Sequence, residues 1–455
     1  MNNFELCKKA VEWAMNTGVK EAEALVVSNR STGVEIERAE IKTCTNTRDM
    51  GIAIRAVTDG KVGFAYTNML TKEEEVKKTA LQAAKASAAS PKDKNWKRLP
   101  ERKNYPTISD TFDKRITEFT SDEAVVLCQK MMESAVNVDK KVLPAFGGTE
   151  VIVQEIMCAN SLGVEVEDKG TALFCGLGTM ARSETQVSPM CFEFKASRTY
   201  TPEPDWVGGE AAKLAVNSIN VGKAQAGKFP ILLDPFALQS ILMHTLIPSI
   251  KGDIVSRGRS ILKDKVGEKV TEDNITISDD GTLSGGLHSG KTDMEGVPKQ
   301  KTPIIEDGVL QNFLYDNYWA KLEGKESTGN ASRGGGGLTL PPYGTLPTIN
   351  PSNIMFKTGT ASEEELITET KNGYYVRNVQ GAHQSNPETG EFSVALAPAW
   401  RILRGEIVHA VKGVMIAGNA YNMIKNISVL GEKARQLNMF IAPKVIVSEL
   451  SVITK

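Results

Sequence analysis

The chain has 455 residues, 41% hydrophobic and 24% charged, with 54 basic against 55 acidic side chains and a formal net charge of −1. That length supports two or three domains with proper cores, and the composition is ordinary for a soluble globular protein. No long run of one sign is present, which argues against a general nucleic-acid binder. No apolar run reaches membrane-spanning length, so the chain reads as cytoplasmic, without direct nucleic-acid or membrane contact.

Residues 4–17 place Leu6, Ala10, Val11 and Ala14 at helical spacing. Strand-like runs follow at 23–27, 32–37, 51–57 and 61–66, and the last two are joined across Thr58-Asp59-Gly60, a strong hairpin signal. Thr71 with Glu74 predicts a capping box that opens a helix over 72–88, and 90–105 is a polar, proline-bearing loop. The pattern then repeats. Thr120 with Glu123 caps a helix running to about 138, strands are expected at 150–159, 163–168, 171–181 and 191–196, and a helix at 205–220. Helix, several strands, helix therefore occurs twice, an α-β-α duplication of form, although residue identity between the halves is too weak to prove one. These elements make an N-terminal α+β domain over 1–225.

From 228 the texture changes. Asp234 can accept from the first free amides of a helix and Pro235 fits its first position, while Leu238, Ile241, Leu242 and Leu246 line one face. Pro248 disfavours helical geometry at Ile247, so the helix is expected to end or kink there. Short strands and glycine turns follow through 275–308. Asn330 to Arg333 and the glycine run 334–337 superficially resemble a phosphate-cradling loop, but no Lys-Ser/Thr pair and no strong helix follow, and a flexible or backbone-docking loop is expected instead. Strands are expected at 373–379, 391–397, 399–403, 406–411 and 414–418, a helical turn within 422–430, and a closing strand at 440–448. The fold class is thus α+β, with a mostly antiparallel β C-terminal domain, barrel or sandwich, over 226–455.

Six cysteines lie at 7, 44, 128, 158, 175 and 191 without a C-x-x-C pair, which suggests buried free thiols in a reducing compartment. The four histidines, at 244, 288, 383 and 409, are far apart. A local histidine metal motif is excluded, whereas a site assembled from distant segments stays open.

The C-terminal half is similar to the TldD/PmbA family, once described as modulators of DNA gyrase and now regarded as peptidase components. The segments that carry the resemblance are Gly252-Asp253, Val266-Gly267-Glu268, Asp280-Gly281-Thr282, Glu295-Gly296-Val297-Pro298 and Ile305-Glu306-Asp307-Gly308-Val309-Leu310. Ser327-Thr328-Gly329-Asn330, Gly373-Tyr374-Tyr375, Val411-Lys412-Gly413 and Ile416-Ala417-Gly418-Asn419 continue it, in the family's order and at nearly its spacing. The catalytic branch resembles a zinc peptidase with an H-E-x-x-x-H helix and a cysteine near the C-terminus. Alignment on Gly252-Asp253 places the first His on Met243, the Glu on His244 and the second His on Pro248, and no cysteine follows Cys191.

The resemblance is therefore to the PmbA (TldE) branch, which lacks the zinc site, and Gly418-Asn419 with Met423 and Asn426-Ile427 supports that branch. It implies no catalytic residue, metal or cofactor in this chain, and a non-catalytic role beside a zinc-bearing TldD-like paralogue, or in a homodimer, acting on unfolded peptides or small proteins. Arg257, Asn330, Arg333, Asn378 and Gly381 are the candidate peptide contacts, and His244 is expected as a partly buried helix histidine bonded to backbone. Two other readings stay open: a stand-alone hydrolase using Ser240 or Ser256 with His244, and a DNA gyrase-associated regulator.

Overall fold

A computed structural model describes residues 2–334 and 342–454. Helix α1 (Asn3–Met15) buries Cys7, Ala10 and Ala14. The strands β1 (Glu21–Glu37) and β2 (Glu40–Thr58) form one long hairpin, turning at Arg38 and Ala39, both left-handed (φ 54° and 63°). The expected break at 28–31 does not occur, and the one at 38–50 shrinks to the two-residue turn at Arg38 and Ala39. Strand β1 pairs with β2 on one side and, from Glu23 to Glu37, with a later strand on the other, so the polar middle is carried along. Asp59 and Gly60 make the anticipated tight turn (φ 51° and 79°) into β3 (Lys61–Thr67).

Helix α2 (Glu73–Ala89) begins without the Thr71 capping box: Lys72 occupies the cap position and makes no side-chain bond. Three glutamates in the first turn supply the favourable charge there. After α3 (Lys114–Thr117), helix α4 (Ser121–Val138) does carry the Thr120–Glu123 box. Strands β4 (Val142–Asn160), β5 (Glu165–Ala181) and β6 (Cys191–Ser197) and helix α5 (Pro204–Asn217) complete the second copy of the pattern. The six strands join in the order β3-β2-β1-β4-β5-β6, all antiparallel, so the two copies meet back to back at the β1–β4 pair. One face is covered by α1 and α2 over Val26, Ile52 and Ile54, and by α4 and α5 over Val34, Val151 and Leu173.

The C-terminal half starts with β7 (Gly227–Leu233) and α6 (Pro235–Met243). Its centre is the strand Phe440–Thr454, longer than expected, which pairs with four partners in two tiers. It runs antiparallel to Ile427–Leu437, Val414–Asn419 and β7, and parallel to Ile354–Phe356. Strand β7 in turn runs parallel to Gly373–Val376. Among the described residues the sheet is mixed, mostly antiparallel, and its path runs from Val309–Leu310 at one end to Glu406–Ala410 at the other. Of the two expected architectures no barrel closes, because the long strand hands its edges to different neighbours at its two ends. The core beneath it includes Leu238, Ile241, Tyr374, Phe440 and Val445.

Of the glycine run 334–337, only Gly334 lies within the described residues. Gly334 N donates to Thr345 Oγ1 at 2.8 Å, and Ala331–Ser332 pairs with Thr348–Ile349; the loop expected over 335–337 lies outside the described residues.

Candidate functional site

Helix α6 forms as its sequence directs. Asp234 caps it by accepting from Phe236 N (3.2 Å), Pro235 occupies the first turn, and Ala237, Leu238, Ile241 and Leu242 are fully buried. It stops at Met243, four residues earlier than Ile247. Pro248 has no N–H to give to the carbonyl of His244, and Thr245 Oγ1 folds back onto the carbonyl of Ile241 at 2.8 Å. Pro248 itself sits in a separate short turn, Leu246–Ser249.

His244 is the last cap of α6, not an interior helix residue, and its side chain is exposed. Among the described residues its ring makes no hydrogen bond, contrary to the expected backbone contact, because the cap position points away from the buried face. Partial burial, then the neighbouring His383, push its imidazolium below the usual histidine range. Met243 and Pro248 are half-buried.

The same patch gathers several of the sequence candidates. Ser240 Oγ donates to Phe236 O (2.8 Å) and to Asn378 Oδ1 (3.4 Å), and Asn378 Oδ1 also accepts from Val379 N. Gly381, left-handed at φ 87°, opens the turn Ala382–Gln384 that carries His383. Ser256 lies elsewhere, with its hydroxyl given to Glu323 Oε1 at 2.6 Å. Neither serine is hydrogen-bonded to His244 among the described residues, so the geometry lends no support to a serine–histidine hydrolase.

The remaining candidates separate from this patch. Arg257 stacks over Trp319 (5.0 Å) with Asp253 nearby at 3.9 Å, on the surface. Asn330 is buried: its amide donates to Asp279 Oδ2 (2.6 Å) and Asn350 O (3.1 Å), while its oxygen accepts from Thr328. Arg333 is buried too, ion-paired with Glu23 of β1. Both line a cavity of 510 Å³ between the N-terminal sheet and the C-terminal half, walled by Ile152, Phe174, His288 and Lys299. His244, Asn378, Gly381 and Arg257 do not line it.

Sequence reasoning missed what holds this junction together. Arg198 donates to five main-chain carbonyls, those of Thr111, Thr171, Gly286, Leu287 and Ser289, and so staples β6 to a C-terminal loop. A second tie joins Glu193 of β6 to Arg377 (2.8 Å) and Arg435, with Arg377 also donating to Asp234 at 2.5 Å. No local spacing signals partners from such distant segments.

Zinc fits this donor set poorly. Met243 offers a thioether, Pro248 no donor, and His244 a single imidazole. Among the described residues no group of three or more His, Cys, Asp or Glu is placed to hold a metal ion. No helix there is long and apolar enough to cross a membrane.

Comparison with known proteins bears on this geometry. Three family profiles tile the chain: PmbA/TldA metallopeptidase domain 1 over 22–87, the central domain over 114–219 and the C-terminal domain over 226–454. An uncharacterized protein of Methanocaldococcus jannaschii is 33% identical, over 94% of this chain and 95% of its own. The metalloprotease PmbA of Escherichia coli O157:H7 is 26% identical over 69% of this chain and 66% of its own. The crystal structure of TldE from Thermococcus kodakarensis superposes with a TM-score of 0.90 at 28% identity, covering 98% and 99% of the two chains. The chain belongs to the TldD/PmbA family of metallopeptidase homologues.

Proposed function

We propose that this chain is a PmbA (TldE)-like, non-catalytic subunit of a TldD/TldE-type metallopeptidase that processes unfolded peptides and small proteins. One observation carries the reading: Met243 and Pro248 stand on α6 and the turn after it, where by resemblance the zinc-bearing branch places its two histidines, and neither can replace them. The likeness to TldE over nearly the whole chain agrees with it. The partner is a zinc-bearing TldD-like paralogue, in a heterodimer, or a second copy of this chain, in a homodimer. Peptide contact falls to the patch of Asn378 and Gly381 and to the exposed Arg257, since Asn330 and Arg333 are buried and tied to Asp279 and Glu23. A cytoplasmic location keeps the six unpaired thiols reduced.

The test is peptide cleavage and metal content, measured on the chain alone and after co-expression with a TldD-type partner. The chain alone should carry no stoichiometric zinc and cut no unfolded peptide, and the co-purified pair should cut it. Stoichiometric zinc or cleavage by the isolated chain would overturn the reading.

A further inference from the structure

Four phenylalanines sit on the face of the six-stranded sheet that α1, α2, α4 and α5 leave uncovered. Residues directly opposite in neighbouring strands share a face, so the register sets them in rows. Glu37, Phe146, Gly178 and Phe192 make one row, and Glu35, Gly148, Gly176 and Phe194 the next. Gly33, Glu150, Phe174 and Ala196 make the third. The glycines let the rings lie down on the sheet. A methyl group on Gly178 would run into the ring of Phe146, and one on Gly176 into that of Phe174. Phe146 and Phe192 are stacked at 5.7 Å with 4° between their planes, and Phe174 meets Phe194 at 5.5 Å. The result is a flat aromatic shelf on which Phe146 is still 44% exposed and the other three rings are half-buried.

The surroundings of the shelf define what it can hold. At its inner end Ile152, Ala172, Phe174 and Ala196 become one wall of the 510 Å³ cavity. From Phe146 to Ile152 the strand β4 covers about 20 Å, the reach of about six extended residues. On the β1 side stand Glu35 and Glu150, both exposed, and among the described residues neither is paired with a lysine or arginine. Glu37 is held by Lys42, and the three rows contain no basic residue. An apolar strip edged with acid suits a chain that carries aromatic or aliphatic side chains with lysine or arginine beside them. A second copy of this protein suits it badly, because its own Glu35 and Glu150 would lie against their equivalents or over the rings.

We propose that this shelf is a peptide-docking surface for an extended, positively charged segment. Apolar side chains of the peptide lie on Phe146, Phe192 and Phe194, basic ones reach Glu35 and Glu150, and one end of the segment points into the cavity. Such a surface presupposes the peptide-handling role proposed above, and it adds the N-terminal sheet to the contacts of Asn378, Gly381 and Arg257.

Fluorescence anisotropy of the full chain with a short labelled peptide of Phe, Lys and Ser reads the docking directly. The same peptide with Ser in place of Phe, or with Glu in place of Lys, should bind about tenfold more weakly. Phe146→Ser should also weaken binding about tenfold. Glu35→Lys combined with Glu150→Lys should do as much, and should abolish the fall in affinity that added salt causes in wild type. Both glutamates are exposed, so this double variant should melt with wild type, and it decides the matter should Phe146→Ser not fold. No binding by wild type, or an unchanged affinity in either folded variant, would overturn the proposal. So would a change of oligomeric state in Phe146→Ser, which would mark the shelf as a subunit interface. Zinc content and cleavage do not enter this measurement, so its failure is separate from failure of the catalytic reading.

Discussion

Asp234→Ala tests whether α6 is held by the buried charges at its start or by its apolar face alone. The carboxylate caps the helix through Phe236 N, accepts from Arg377 at 2.5 Å, and accepts the hydroxyl of Tyr375 at 3.0 Å. Losing a cap costs about 1 kcal/mol. An orphaned buried hydroxyl costs about 1–3 kcal/mol. Breaking one arm of a buried ion pair costs about 3–5 kcal/mol. These overlap, since one carboxylate serves all three, and Arg377 retains Glu193 at 2.8 Å. The expected total is about 4 kcal/mol, and about half of that for Asp234→Asn, which keeps one acceptor oxygen. Urea unfolding of the full chain followed by tryptophan fluorescence measures it, because Trp400 stacks on Tyr375 at 5.3 Å. A double-mutant cycle with Arg377→Met should give a coupling above about 2 kcal/mol. If Asp234→Ala unfolds within about 1 kcal/mol of wild type, the apolar face holds the helix unaided and the argument fails.

Arg198→Lys should destabilise by about 2–3 kcal/mol, since an ammonium cannot reach five carbonyls, and proteolysis should then cut first near 286–289; a thermal melt matching wild type refutes the staple. Gly381→Ala should cost about 1–2 kcal/mol from its left-handed backbone alone, with no atom within 4 Å of the new methyl group. Gly373→Ala would place that methyl 2.1 Å from the carbonyl of Pro230 and should abolish soluble expression, so equal melting of the two variants would contradict the parallel β7 pairing. Of six cysteines only Cys44 is exposed, and burial pushes Cys7 up to about 12 and Cys175 and Cys191 to about 11. A thiol reagent at pH 8 should therefore modify one cysteine in the folded chain and six after unfolding, and prompt reaction of two or more when folded would be inconsistent with the buried set.

Signals that act within a few residues were legible. The Asp59-Gly60 turn, the Thr120–Glu123 box and the Asp234-Pro235 helix start each formed where the residues direct. Thr71 with Glu74 carries the same motif as Thr120 with Glu123, yet the helix begins one residue later than that box requires and the box is absent. Strand ends were misjudged wherever a second neighbour extended the pairing, as for β1 and for Phe440–Thr454. Within the candidate site, the patch of Ser240, His244, Asn378 and Gly381 drew on segments the sequence had already singled out. Arg333 and Asn330 did not remain with it, because their partners Glu23 and Asp279 are distant in the chain and buried.

The sequence by itself determined the class of fold, the twofold helix-strand-helix pattern, the kinship of the chain, and the side chains standing at 243, 244 and 248. Only the tertiary structure decided that the large sheet stays open among the described residues, that His244 ends its helix exposed, and that Glu23, Arg55, Glu295 and Arg333 share one buried junction. Periodicity and turn chemistry are written in neighbouring residues, whereas the partner of a buried charge depends on which distant strands the topology lays side by side.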